Sequence, residues 1–167
     1  MKALLIGRFQ PFHKGHLKLL QNILKNYDEV IVGIGSSQYD HTRDNPFTSN
    51  ERKMMIEKSL ESINAKNYTL VLIPDIHNYP QWVPYVVSII PDFDVVFSNN
   101  SLTKRLFSER GYIVKETPIL DRSKYSGKEI RRRMIDDEPW ETLVPKAVAE
   151  IIKDIAGVQR LKKLPKK

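Results

Sequence analysis

Short apolar-rich runs recur at residues 3–6, 29–34, 69–73, 94–97 and 112–115 of this 167-residue chain, and each is separated from the next by a segment of helical periodicity. A brief apolar run bounded by polar residues fits a strand buried on both faces. Strands alternating with helices impose a parallel sheet with right-handed crossovers. The pattern therefore predicts an α/β fold, a doubly wound parallel sheet with helices over residues 16–26, 49–62, 79–90 and 101–110. Thr48 followed by Glu51 reads as a capping box for the second helix. Pro84 weakens the third, although a proline in a first turn is tolerated. Beyond residue 115 no further strand is expected, and residues 126–136 and 141–156 read as helices, which gives the chain a helical C-terminal part. The length suits one domain over residues 1–167, with 160–167 a disordered basic tail.

Charge and composition remove several functions. Of the net +7, five charges come from residues 151–167, so the basicity is concentrated at one end. A nucleic-acid-binding face would spread basic and aromatic residues together. No nucleic-acid partner is therefore expected; the basic end reads as a solvated terminus or, alternatively, as a polyanion contact. The absence of cysteine excludes disulfides, thiolate metal sites and a cysteine nucleophile. No apolar run approaches the ~20 residues that cross a bilayer, so no membrane association and a cytoplasmic location are expected.

The first strand runs directly into GRFQPFHKGH, residues 7–16. In an open parallel sheet ligands bind beyond the carboxyl ends of strands, and a helix N-terminus favours an anion. Gly7 permits close backbone approach, Arg8 adds a fixed charge, and His13 and His16 bring imidazole N–H donors to the same turn. The pattern points to phosphate. Two histidines three apart could also be a metal pair, but no cysteine or carboxylate ligand stands near them, so no protein metal site is expected. A second phosphate candidate is YSGKEIRRRM, residues 125–134, where Ser126 reads as an N-cap and Arg131, Arg132 and Arg133 cover a wide arc of the helix. The alternative for this stretch is a solvated basic face. GIGSSQ, residues 33–38, lacks the third glycine of a dinucleotide fingerprint and reads as a turn lining a pocket through Gly35 and Ser36. No P-loop, GxSxG or HExxH is present.

GRFQPFHKGH and YSGKEIRRRM resemble the two signatures of the HxGH nucleotidylyltransferase superfamily, an HxGH turn and a later ISSTxxR-like helix start. PFTSNER, residues 46–52, is similar to the PFTAGER of archaeal nicotinamide mononucleotide adenylyltransferases, and residues 143–164 resemble their C-terminal helix. The resemblance implies a Rossmann-like fold and transfer of AMP from ATP to nicotinamide mononucleotide, giving NAD and pyrophosphate with Mg²⁺. It also implies a homo-oligomer, in some members a hexamer. It makes His16, His13 and Arg131 the catalytic residues. ATP would be held by Gly7, Arg8, Phe9, His13, His16, Asn100, Ser126 and Arg131, and the mononucleotide by Trp82, Asp75, Gly35 and Ser36. Lys128 stands where the family has threonine, and Asn99 where it has glycine. A sister enzyme with phosphopantetheine or flavin mononucleotide as acceptor, or a nucleotide-binding module without activity, are the competing readings.

Overall fold

The computed structural model describes residues 1–117 and 121–166. Five parallel strands, β1 (Lys2–Gly7), β2 (Glu29–Ile34), β3 (Tyr68–Leu72), β4 (Val95–Phe97) and β5 (Ile113–Lys115), lie in the order β3-β2-β1-β4-β5. The chain winds outward from β1 to β3, then returns to add β4 and β5 on the other side. The order therefore reverses between β1 and β4, where Leu5 pairs with Phe97. A crevice is required there, because the connections leaving these two strands diverge.

Alternation along each buried strand feeds two cores. Ala3, Leu5, Val30, Val32, Ile34, Val95 and Phe97 face one side, while Leu4, Ile31 and Val96 face the other. The first side is covered by α1 (Lys14–Asn26), α2 (Ser49–Ser62), α5 (Gly127–Ile135), α6 (Lys146–Asp154) and α7 (Gly157–Lys163). The second is covered by α3 (Tyr79–Ile89) and α4 (Ser101–Glu109). Among the described residues no helix is long and apolar enough to cross a membrane.

The expected caps form. Thr48 and Glu51 make a reciprocal capping box, and the Ser126 hydroxyl accepts from the Glu129 N–H. Three expectations need correction. Pro84 lies inside α3, whose first turn holds Pro80 instead. A proline at position 84 cannot donate to the carbonyl four residues back, and the Pro80 oxygen accepts from Arg110 Nη2 at 2.6 Å in its place. The segment 141–156 is broken: Val144, the residue before Pro145, is extended, as a residue preceding proline prefers, so a 3-10 turn at Glu141–Leu143 precedes a separate α6. The basic end is ordered as α7 to Lys163, set off from α6 by Ala156 in the left-handed region, with Leu161 fully buried. Charge pattern alone hid Leu161 and its neighbours Val158 and Leu164, which pack on the core; of the expected tail, Lys167 lies outside the described residues.

The strand ends are gathered by Arg52, the largest fully buried side chain. Its Nη1 donates to the carbonyls of Arg8 and Gly35, both at 2.9 Å, its Nη2 to Ser36 and Tyr39, and its Nε to Thr48. Burial pushes its pKa down to about 10, so it remains charged at neutral pH. Arg52→Met should fill the volume but remove the donor of the Arg8, Gly35 and Tyr39 carbonyls, whereas Ser36 and Thr48 still accept from the main-chain N–H groups of Tyr39 and residue 52. We expect a loss of about 3–5 kcal/mol, read as a lower urea midpoint.

Candidate functional site

The turn after β1 arranges its histidines through main-chain hydrogen bonds. His13 is the N-cap of α1: its Nδ1 accepts from the His16 N–H at 3.4 Å, and His16 Nδ1 accepts from the His13 N–H at 3.1 Å. A ring nitrogen that accepts carries no proton, so each neutral imidazole holds its proton on Nε2. The rings stack with centroids 3.6 Å apart, and Phe9 meets His16 edge-on at 4.8 Å. Phe9 is in the left-handed region and buried, and a Cβ at Gly7 would lie 3.0 Å from its ring. Gly7 thus makes room for the side chain that seats His16.

Burial sets the protonation of the pair. It pushes His13 down to about 4, and it holds His16 well below the ordinary value, with His13 adding a repulsive contribution. Both are neutral Nε2–H donors at physiological pH. They stand at a helix N-terminus, where the peptide dipoles favour negative charge.

The second expected phosphate element meets the first through Arg131. This arginine is buried, and its Nη1 donates to the Gln10 carbonyl at 2.7 Å. Gly127 allows the contact, since a Cβ there would sit 2.8 Å from Arg131 Nη1 and 3.0 Å from the Gln10 oxygen. Arg132 and Arg133 turn outward to Glu129, and Arg132 also to Asp136 and Glu138. One arginine of three therefore faces the strand ends.

Two cavities open along the crevice. One, of about 330 Å³, is lined by His13, Gly15, His16, Asn99, Thr117, Arg122, Tyr125, Ser126 and Gly127 among others. The other, of about 400 Å³, lies beyond the carboxyl ends of β1, β2, β3 and β4 and is lined by Gly7, Arg8, Gly35, Ser36, Asp75, Trp82, Asn100 and neighbours. The structure thus brings Trp82, Asp75, Gly35 and Ser36 together, and adds Gly7, Arg8 and Asn100 to them. His13, His16 and Ser126 gather in the first cavity. Phe9 and Arg131 line neither cavity: Phe9 packs on the His16 ring, and Arg131 reaches the Gln10 carbonyl of the same turn. Asp75 is oriented by the Ser36 hydroxyl at 2.8 Å, and the Trp82 ring meets Phe107 edge-on at 5.6 Å. Asn99, at the position of a family glycine, uses its amide on the Thr117 backbone. Among the described residues no group of three or more His, Cys, Asp or Glu side chains could hold a metal ion.

Sequence reading passed over Gln10, Gln38 and Arg52. Gln10 is buried, its amide donating to the Phe47 carbonyl at 3.0 Å and accepting from the Phe47 N–H at 2.9 Å. Gln38 pairs in the same way with the backbone of Asp75. The available signal was their place inside motifs otherwise assigned to ligand contact.

Residues 4–133 match the cytidylyltransferase-like family model. The nicotinamide-nucleotide adenylyltransferase of Pyrococcus horikoshii is 52% identical over 165 residues, covering 98% of this chain and 89% of that protein. That of Thermoplasma acidophilum is 48% identical over 163 residues, covering 98% and 91%. A solved bifunctional NMN adenylyltransferase/ADP ribose pyrophosphatase from Francisella tularensis, complexed with AMP and a manganese ion, superposes with a TM-score of 0.77 at 23% identity. The alignment covers 96% of this chain, which spans about half the length of that bifunctional protein. At that identity the likeness concerns the fold.

The buried histidine makes stability depend on pH. Unfolded, His13 binds a proton from about pH 6.5 downward; folded, it does so only near pH 4. The unfolded state binds more protons in that window, so stability rises with pH across it and falls as pH drops from 6.5 to 4. His13→Asn keeps an N-cap acceptor but cannot titrate. It should shallow that loss by about 2 kcal/mol in denaturation curves at pH 7 and pH 4.5.

Proposed function

The chain belongs to the cytidylyltransferase-like family, and from that footing we propose that it transfers AMP from ATP to nicotinamide mononucleotide, forming NAD and pyrophosphate. The observation that carries the reading is the pair of adjoining cavities at the reversal of strand order. One is walled by neutral histidines and two helix N-termini, the other by Trp82 and Asp75. An anionic chain of phosphates and a flat aromatic mononucleotide are what these walls fit.

In this reading the acceptor phosphate oxygen attacks the α-phosphorus of ATP in line. A new P–O bond forms, the bond from that phosphorus to the β-phosphate oxygen breaks, and pyrophosphate leaves with the electron pair. No side chain needs to act as nucleophile. The protein holds two anionic reactants in register and supplies donors where charge develops. His16 Nε2–H and His13 Nε2–H are assigned to the phosphates, with His16 at the α-phosphate. Arg131, Ser126 and the first turn of α5 are assigned to the β- and γ-phosphates. Arg8, Gly7 and Asn100, which also border the second cavity, lie between nucleotide and acceptor; Phe9 seats His16 from behind. Trp82 is assigned to stack on the nicotinamide ring, whose positive charge rewards an aromatic face. Asp75, with Gly35 and Ser36 beside it, is assigned to the carboxamide.

The donor set is one of N–H groups, which fits phosphate oxygens and does not fit direct coordination of a divalent cation. We propose that Mg²⁺ arrives on the triphosphate, its ligands drawn from phosphate oxygens and water, where it would offset phosphate charge.

Incubation with ATP, Mg²⁺ and nicotinamide mononucleotide should yield NAD and pyrophosphate in equal amounts. Turnover only with phosphopantetheine or flavin mononucleotide would reassign the second cavity, and no turnover with any acceptor would overturn the enzymatic reading. His16→Ala should lower kcat roughly 10²–10³-fold with little change in ATP affinity. Trp82→Ala should raise KM for the mononucleotide far more than KM for ATP; equal effects would reject the stacking role.

A further inference from the structure

The C-terminal helix α7 is 109 or more residues away in sequence from the loop it holds. Arg160 donates through Nη1 and Nη2 to both carboxylate oxygens of Glu51, at 2.7 and 2.8 Å, and Nη1 also donates to the Pro46 carbonyl at 3.0 Å. Arg43 Nε donates to the Leu164 carbonyl at 3.1 Å, and Gly157 packs so closely on Phe47 that a Cβ would lie 2.9 Å from its ring. Helix and loop are thus joined at both ends and in the middle. Burial alone would raise the Glu51 carboxyl, but its bonds to Arg160 and to the Thr48 backbone outweigh this and leave its pKa below the ordinary value.

The held loop leads straight to the site. Pro46 precedes Phe47, whose N–H and C=O are both paired with the Gln10 side chain, and the Gln10 carbonyl receives Arg131 Nη1. Every step is a hydrogen bond or the single peptide link between Pro46 and Phe47. The route also has no slack, because Gln10, Phe47 and Arg131 are all buried.

We propose that Arg160 is a positioning residue for ATP: from the C-terminal helix it fixes the Pro46–Phe47 backbone, and through Gln10 it fixes the Arg131 guanidinium that grips the nucleotide phosphates. The proposal rests on the adenylyltransferase reading of the site. It touches no substrate and acts entirely through the loop. The second cavity is tied to α7 less directly, since Asp75 is held by Ser36 and Gln38 rather than by the Pro46–Phe47 backbone.

The test uses the full chain with Arg160→Ala and Arg160→Lys. ATP affinity is measured by calorimetry, and kcat and KM for each substrate by NAD formation. Arg160→Ala should raise both Kd and KM for ATP about tenfold, within the range for displacing a binding group from a distance, and leave KM for the mononucleotide within about twofold. Arg160→Lys keeps a charge for Glu51 but cannot fork to Pro46, and its ATP affinity should fall between those of the alanine variant and the wild type. In an Arg131→Ala background, Arg160→Ala should add less than about twofold, because the group it positions is gone. A lowered melting temperature with ATP Kd unchanged in both variants would reduce Arg160 to a structural role and overturn the proposal. A full tenfold effect persisting without Arg131 would overturn the route. Should the alanine variant fail to fold, the lysine variant decides alone. Absence of NAD from the wild type would defeat the adenylyltransferase reading, whereas the calorimetric ATP series would still decide the role of Arg160.

Discussion

The crevice depends on one buried guanidinium. Where β1 and β2 end, the chain must leave regular hydrogen bonding, and carbonyls that no longer face a neighbouring strand still need donors. Arg52 supplies them to residues of three segments at once: Arg8 after β1, Gly35, Ser36 and Tyr39 after β2, and Thr48 at the start of α2. Lysine could not do this, since its ammonium is a point with three donors, whereas guanidinium is a rigid plane with five. Burying the charge is costly, and the fivefold solvation by carbonyl dipoles offsets that cost. Because Arg8, Gly35 and Ser36 also border the larger cavity, the residue that satisfies the backbone is the one that shapes the wall.

A second device repeats around the crevice. Gln10, Gln38 and Asn99 each present a carboxamide that donates to the carbonyl and accepts from the N–H of a single residue, Phe47, Asp75 and Thr117 respectively. Each pairing reproduces a bridge between strands without requiring a strand. Loops therefore hold fixed relative positions while their backbones stay free to adopt the left-handed conformations seen at Phe9, Ser36 and His77. Such conformations persist only where the surroundings over-determine them, and these amide bridges help to do so.

These devices mark the boundary of what could be read from sequence. Apolar periodicity and capping residues are local signals, so the five strands, the Thr48–Glu51 box and the Ser126 cap were legible. That residues 7–16 and 125–134 would meet was legible because each stretch carries its own helix start, and Arg131 joins them through the Gln10 carbonyl. Arg52, Gln10 and Gln38 were not, since a buried polar residue is recognised only by partners that folding brings to it. The basic end was misread for a related reason: its charges are local, but what orders it is Leu161 in the core and Glu51 more than a hundred residues earlier. Pro84 was misplaced because its tolerance depends on Arg110, on a different helix, taking the orphaned Pro80 carbonyl.

The arginines near the strand ends are held differently from Arg132, Arg133 and Arg160. Arg132, Arg133 and Arg160 form ion pairs with glutamates, which cancels their charge at the point of contact. Arg8, Arg52 and Arg131, near the strand ends, hydrogen-bond instead to the Asn45 side chain and to main-chain carbonyls. Asp40 and Glu51 attract Arg52, and Asp44 attracts Arg131, through space. A carbonyl orients a guanidinium without neutralising it. The histidines add donors but, being neutral, add no further repulsion to this cluster. A positive potential is thereby kept at the crevice, held by dipoles that need not reorganise when an anion arrives, and such preorganised charge is what transfer between two phosphorylated reactants requires.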